Sequence, residues 1–460
     1  MTSVQHRSAE EIGRTATGPR PVPELGAQTA AAELSHVDTV LANGLRLLAV
    51  RKPTVPLVEL RLRIPFGGTG NLHAATAEVL AETMLTGTAR RDRIEIDTEL
   101  ALIGGELDTA VDPERLTISG NGLATGLPTL LDVLADALTA ASYVDDEVAR
   151  ESARLVERLA VSRTQPRVIA REALLKHVYG DHPVTSEVPQ AEDVSAVEPG
   201  MVRELHTASV LPRGSVLVIV GDIDPDQIAG DVERALGGWS SDRAAVALPG
   251  LPEVTGGDLL LVPRTGAVQS QIRLIAQSLP RTDPRYPALQ LANLTYGGYF
   301  SSRLVENIRE DKGYTYSAHS GFEFTGATAT VGVDADTANE VTAAALLETR
   351  YELGRLGVVP PAPEEVESVR QYAIGSLLTA TSSQAGLASQ LAALTAAGLG
   401  PEWLAEHPRR VAEVTRDEVA EAALEFFAPT RFTGVVVGDA ETLAPQLTAL
   451  GGVAVGEPGK

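Results

Sequence analysis

The chain has 460 residues, a formal net charge of −23, no cysteine, 44% hydrophobic and 22% charged residues. The length exceeds one ordinary hydrophobic core, so more than one domain is expected. Without cysteine, disulfides, thiolate zinc sites and a cysteine nucleophile are excluded. The acidic balance argues against nucleic acid, which calls for a basic patch, and suits a basic peptide, a basic partner or simple solubility.

Residues 1–35 are polar, Pro-interrupted and Ala-rich and read as a tail. They contain no apolar signal-type core, and no apolar run in the chain approaches the roughly 18 residues that span a bilayer. A cytoplasmic location without membrane contact is the expectation. From Asp38, TVLANGLRLLAVRKP predicts two strands around an Asn-Gly turn. The next strand alternates at Val58, Leu60, Leu62 and Ile64. Helices are expected over 74–85 and 97–103, the second stopped by Gly104-Gly105. GELDTAVDPERLTISGNGL reads as a hairpin, and its Asn121-Gly122 pair as a turn rather than a phosphate-binding loop. Helices follow over 127–141, 145–163, 168–179 and 199–208, then a buried strand over 215–220 and a helix from Asp224-Pro225 to Leu236.

Residues 240–258, SSDRAAVALPGLPEVTGGD, have the composition of a linker. Beyond them the pattern repeats. VLVIVGDIDPDQIAGDVERALGG closes one half and FTGVVVGDAETLAPQLTALGG closes the next, with Gly221-Asp222 matching Gly438-Asp439 at an offset of 217 residues. So long a period means a duplicated α+β domain rather than a solenoid. The division expected is a tail (1–35), a first domain (36–239), a linker (240–258) and a second domain (259–460).

GGYFSSRLVENIREDKGYTYSAHS, residues 297–320, carries the most specific pattern. Phe300, Leu304 and Ile308 fall on one helical face, and Asp311-Lys312-Gly313 stops the helix near Arg309. Tyr314 to Ser320 alternates like a strand, with Tyr314 and Tyr316 on one face. A cation at a helix end and a phenol in the following strand can be aimed at one point. A core helix with an exposed Arg and a half-buried Tyr is the alternative.

The pattern GGxFxSRLxxxIRExxGxxY resembles the arginine–tyrosine signature of the pitrilysin/insulinase metallopeptidases, in the branch of the mitochondrial processing peptidases and their bacterial relatives. That signature sets a Tyr seven residues after an Arg, as Tyr316 follows Arg309 here. The resemblance extends over about 38–455. It implies two homologous domains, each an antiparallel sheet flanked by helices, facing each other around a chamber.

The family's zinc motif, H-x-x-E-H, aligns with AEVLAETMLTGT, residues 77–88, where its three positions hold Glu78, Ala81 and Glu82. Both imidazoles and the general base are replaced. The downstream acidic ligand aligns with Arg158, with Glu151 and Glu157 nearby. Glu78 and Glu82, at i and i+4, are expected to face solvent or a partner, and two carboxylates lack the imidazole or thiolate that zinc favours. The eight histidines (6, 36, 73, 177, 182, 206, 319 and 407) contain no i, i+4 pair and read as structural or surface residues. No G-x-S-x-G elbow or Walker loop appears.

The resemblance therefore implies the non-zinc subunit of a heterodimeric zinc metallopeptidase. This chain holds no metal, the zinc sits in a homologous partner bearing H-x-x-E-H, and Arg309 and Tyr316 act on an extended, unfolded peptide. A catalytically inactive structural or peptide-holding scaffold of the same fold is the alternative.

Overall fold

Alternation of small and branched apolar residues builds the sheets. In strand β3 (Leu57–Pro65) every second residue from Val58 to Ile64 is buried, while Glu59, Arg61 and Arg63 point to the other face. The computed structural model describes residues 34–326 and 328–456; the tail expected over 1–35 lies almost wholly outside them.

The first sheet has the order β1-β2-β6-β3-β5-β4, with β1 His36–Val40, β2 Arg46–Arg51, β4 Glu106–Asp112, β5 Arg115–Leu123 and β6 Val216–Gly221. The second has the order β12-β7-β11-β8-β10-β9, with β7 Leu259–Pro263, β8 Gln269–Gln277, β9 Ser317–Thr325, β10 Thr328–Ala338, β11 Thr433–Gly438 and β12 Val453–Val455. The inner five strands follow one plan in both halves. The edge strand comes from the start of the first half and from the end of the second.

The sheets are mixed rather than antiparallel throughout. β2 and β6 run parallel, as do β7 with β11 and β12 with β7. The reason is topological. β6 returns after a long helical excursion and slots between β2 and β3, which run oppositely, so it must be parallel to one of them.

The helices of the first half are α1 (Asn71–Thr83), α2 (Arg93–Leu102), α3 (Leu127–Ala140), α4 (Asp145–Ser162), α5 (Pro166–Tyr179), α6 (Ala191–Ser195), α7 (Pro199–Ser209) and α8 (Pro225–Leu236). α2 starts four residues before the expected Asp97, because Asp92 and Glu95 form a reciprocal capping box. The expected turn at Asn121-Gly122 is instead part of β5, where Asn121 pairs with Glu59 and Glu106. In the second half, α9 (Tyr286–Asn293) and α10 (Arg303–Val305) precede the long helices α11 (Thr342–Val358), α12 (Pro363–Ala380), α13 (Gln384–Ala396), α14 (Glu402–Glu413), α15 (Arg416–Phe426) and α16 (Ala440–Leu450).

Most helices pack on one face of their own sheet and form two large apolar cores. Two helices cross over. Ala170, Leu174 and Leu175 of α5 pack on Ile275, Val435 and Val437 of the second sheet. Leu387, Ala388 and Leu391 of α13 pack on Leu48, Val50, Val218 and Val220 of the first. Each sheet is thus covered on its second face by a helix of the other half.

Polar contacts finish this exchange. Gln384 Nε2 donates to the carbonyls of Lys52 at 2.6 Å and Val55 at 3.0 Å, and His177 Nε2 lies 3.0 Å from Thr433 Oγ1. Residues 241–258 run without regular structure but are tied down: Gly67 N donates to Val246 O, and Val254 N to Gln277 Oε1. Among the described residues no helix is long and apolar enough to cross a membrane.

Candidate functional site

α1 presents the positions of the zinc motif in two directions. Ala81 faces the first core and is 3% exposed, with its carbonyl accepting a hydrogen bond from Thr109 Oγ1 at 2.5 Å. Glu78 and Glu82 lie on the flank. Glu82 is bound by Arg158 of α4, Nη2 to Oε1 2.5 Å. Arg158 therefore neutralises the Glu82 carboxylate.

Glu78 departs from the expected exposure. It is largely enclosed in a small cavity with His73, Asp112, Ser186 and Glu187. Burial, reinforced by the charge of Glu82 and opposed by Arg158, pushes its carboxyl up to about 7. Burial also lowers the His73 imidazole below its usual range. The ring of His73 lies where a side chain on Gly68 would stand, which requires glycine there. No spacing in the sequence announced that Asp112 and Glu187 would meet His73 and Glu78 of α1, since they come from other elements. The donors do not suit zinc: one carboxylate is taken by an arginine, one position is an alanine, and among the described residues no group of three or more His, Cys, Asp or Glu is placed to hold a metal ion.

The other half of the signature is built over the second sheet. After α9 the chain passes through a π-helical turn, Leu294–Gly298, and a second one, Glu306–Asp311, follows α10. π-turns interrupt the regular ladder and are frequent at functional sites. Gly297 permits close approach, since a Cβ there would stand 2.8 Å from Ser320 Oγ on β9. Ser320 Oγ in turn bonds Asn293 Oδ1 at 2.7 Å.

Arg303, 9% exposed, makes a forked pair with Glu365 of α12 (Nε to Oε1 2.7 Å, Nη2 to Oε2 2.8 Å) and donates to Val359 O at 3.0 Å. Asn307 is held by Glu348, Glu352 and Lys312. Leu304 and Ile308 are fully buried in the core, as the periodicity predicts. Phe300 is not on that face. It precedes the helix, which begins after Ser302, and is 60% exposed.

Arg309 sits in the second π-turn, its guanidinium carbon 4.8 Å from the centre of the Phe300 ring and its Nε 3.4 Å from Glu310. Gly313 turns the chain with φ 63°. The expected strand over 314–320 begins only at Ser317, because Thr315 bonds back through its hydroxyl to Asp336 O and Ser317 O. Tyr314 packs half-buried on the second core, whereas Tyr316 is 94% exposed, so the two do not share a strand face. Arg309 and Tyr316 thus flank one short connection, and α1 with Glu78, Ala81 and Glu82 belongs to the other half.

Residues 48–192 match the insulinase (peptidase family M16) model, and residues 196–372 match the peptidase M16 inactive domain. Among curated proteins, an uncharacterized zinc protease of Bacillus subtilis is 27% identical over 74% of this chain and 83% of its own length. One from Streptomyces coelicolor is 26% identical over 70% and 71%, and one from Mycobacterium tuberculosis 26% over 64% and 68%. Among solved structures, a peptidase M16 inactive domain from Pseudomonas fluorescens superposes with TM-score 0.80 at 20% identity, covering 88% of this chain and 98% of that one. A protease from Helicobacter pylori superposes with TM-score 0.79 at 16% identity, covering 88% and 99%. The chain therefore belongs to the insulinase family, peptidase family M16, as a member without the H-x-x-E-H zinc motif.

Proposed function

We propose that this chain is the non-zinc subunit of a two-chain metallopeptidase that cleaves unfolded peptides, with Arg309 and Tyr316 as its contribution to the shared site. The observation that carries the reading is the contrast between the two halves. At the positions aligned with the zinc motif, Glu82 is neutralised by Arg158, Ala81 is buried, and burial favours the protonated form of Glu78. At the other signature the phenol of Tyr316 is 94% exposed, in a segment otherwise tightly braced by Arg303 and Asn307. An exposed phenol on a braced segment suits a group reserved for a ligand.

The zinc, with the Lewis-acid chemistry it supplies, belongs in this reading to a homologous H-x-x-E-H chain. Tyr316 donates a hydrogen bond to the oxyanion of the tetrahedral intermediate, and Arg309, oriented by Phe300, holds a backbone carbonyl of the substrate. The peptide binds as an added strand at a sheet edge, which requires an unfolded segment. The relatives described as zinc proteases are consistent with a peptidase assembly.

Affinity purification of the full chain from its native host tests this. A stoichiometric H-x-x-E-H partner with chelator-sensitive peptidase activity is the expected result. A chain recovered alone, without activity, would replace this reading with the inactive structural or peptide-holding scaffold, which the Glu82–Arg158 pair also accommodates.

A further inference from the structure

The two halves meet at a cleft of about 440 Å³, distinct from both regions described above. Its walls come from the end of β3, the β4–β5 turn, the β9–β10 turn and the C-terminal end of α13. Arg63, Arg115 and Arg281 line it, together with Glu114, Ile64 and Phe324. Three guanidinium groups in one cleft are unexpected in a chain of net charge −23.

Among the described residues, only one of the three is in an ion pair. Arg115 is paired with Asp112 at 2.7 Å. Among the described residues, Arg63 and Arg281 make no ion pair. Arg63 donates only to a neutral group, the carbonyl of Ala392, at 2.6 Å. Burial, with the charge of Arg115 added, lowers its pKa to about 10. The Arg281 guanidinium carbon lies over the Phe324 ring, 4.2 Å from its centre, and the group also acts on the buried Tyr286 hydroxyl. Glu114 accepts from Gly326 N at 3.3 Å and lies 3.9 Å from Arg115, and with Asp112 it gives Arg63 a longer-range counter-charge but no ion pair. A partly desolvated guanidinium without a carboxylate is costly unless an anion completes it, and a guanidinium on an aromatic face keeps its donors directed outward to a planar acceptor.

We propose that this cleft is a binding site for carboxylate groups of an extended acidic peptide segment, gripped by Arg63 and Arg281. The apolar wall of Ile64 and Phe324 suits side chains flanking the carboxylate, and the position between the halves gives a peptide access to both. The inference concerns binding to this chain alone, so it stands whether or not a zinc-bearing partner exists.

The test uses the purified full chain and a fluorescent 15-residue peptide with three Glu residues, beside its Gln counterpart, at about 0.15 M salt, where long-range repulsion from the acidic surface is screened. The Glu peptide is expected to bind at least tenfold more tightly than the Gln peptide. Arg63→Gln and Arg281→Gln are each expected to weaken it about tenfold with unchanged thermal unfolding. Arg63→Gln keeps a donor for Ala392, and Arg281 lies outside the strands, so one variant remains informative if the other is destabilised. Equal affinity for the two peptides, or unaltered binding in both variants, would overturn the proposal. So would saturable binding of inorganic phosphate with no binding of the Glu peptide.

Discussion

Arg158 Nη2 stands 2.5 Å from Glu82 Oε1, joining two residues 76 positions apart in the sequence. The resemblance to the family aligns them with an acidic ligand and an imidazole of the zinc motif, and here they satisfy each other. With Arg158 about half exposed, the pair itself contributes only about 0.2–1 kcal/mol. On the neighbouring Glu78 its two members act in opposite directions: the Glu82 charge raises the carboxyl and the Arg158 charge lowers it.

Glu78 gives a pH signature. Its folded pKa of about 7 lies above the ordinary value of 4.5, so the folded state holds the proton more tightly. The corresponding stability is complete below the unfolded pKa and is lost as pH rises through 7. Glu78→Gln is therefore expected to stabilise the chain by roughly 1–3 kcal/mol at pH 8 and to be neutral at pH 4. Urea unfolding across that range measures it. An identical difference at both pH values would show that the carboxyl is solvated.

Tyr316→Phe separates chemistry from folding. Removing a hydroxyl that is 94% exposed should leave thermal unfolding within about 0.5 kcal/mol of the parent. In the partnered enzyme, turnover should fall by roughly 10²–10³, the usual effect of losing one oxyanion donor. Unchanged kcat with an intact complex would remove Tyr316 from the mechanism.

Arg303 and Glu365 brace the signature segment. Burial alone would raise the Glu365 carboxyl, but the Arg303 guanidinium outweighs it and holds it below the usual range. That stability is present above the unfolded pKa near 4.5 and is lost as pH falls through the folded value. Glu365→Ala leaves a buried guanidinium unpaired and is expected to cost about 3 kcal/mol at pH 7. The cost should shrink in acid, as denaturant midpoints at pH 3.5 and 7 would record.

The exchanged helices predict cooperative unfolding. Leu391 on α13 is fully buried against the first sheet although it belongs to the second half. Leu391→Ala is expected to cost about 2–5 kcal/mol and to shift one common transition. Calorimetry that resolved two independent transitions in the parent chain would contradict this coupling.

Much of the fold was legible because period reports local geometry. The buried positions of β3 and the burial of Leu304 and Ile308 follow from alternation and from helical spacing. The errors have local causes as well. A capping box at Asp92 extended α2, and the Thr315 hydroxyl delayed β9, leaving Tyr316 outside it. Phe300 fitted the helical spacing, yet it precedes the start of the helix at Ser302–Arg303 and lies against Arg309 instead.

By itself the sequence determined the duplication, the apolar face of most elements, and the patterns at residues 77–88 and 297–320 on which the resemblance to the family rests. Only the tertiary structure decided what those faces and charges meet. It half-buried Glu78, paired Glu82 with Arg158, lent α5 and α13 to the opposite sheets, and gathered Arg63, Arg115 and Arg281 at one cleft. The reason is physical: periodicity records which side of an element avoids water, whereas the energy of a buried charge depends on neighbours brought from distant parts of the chain.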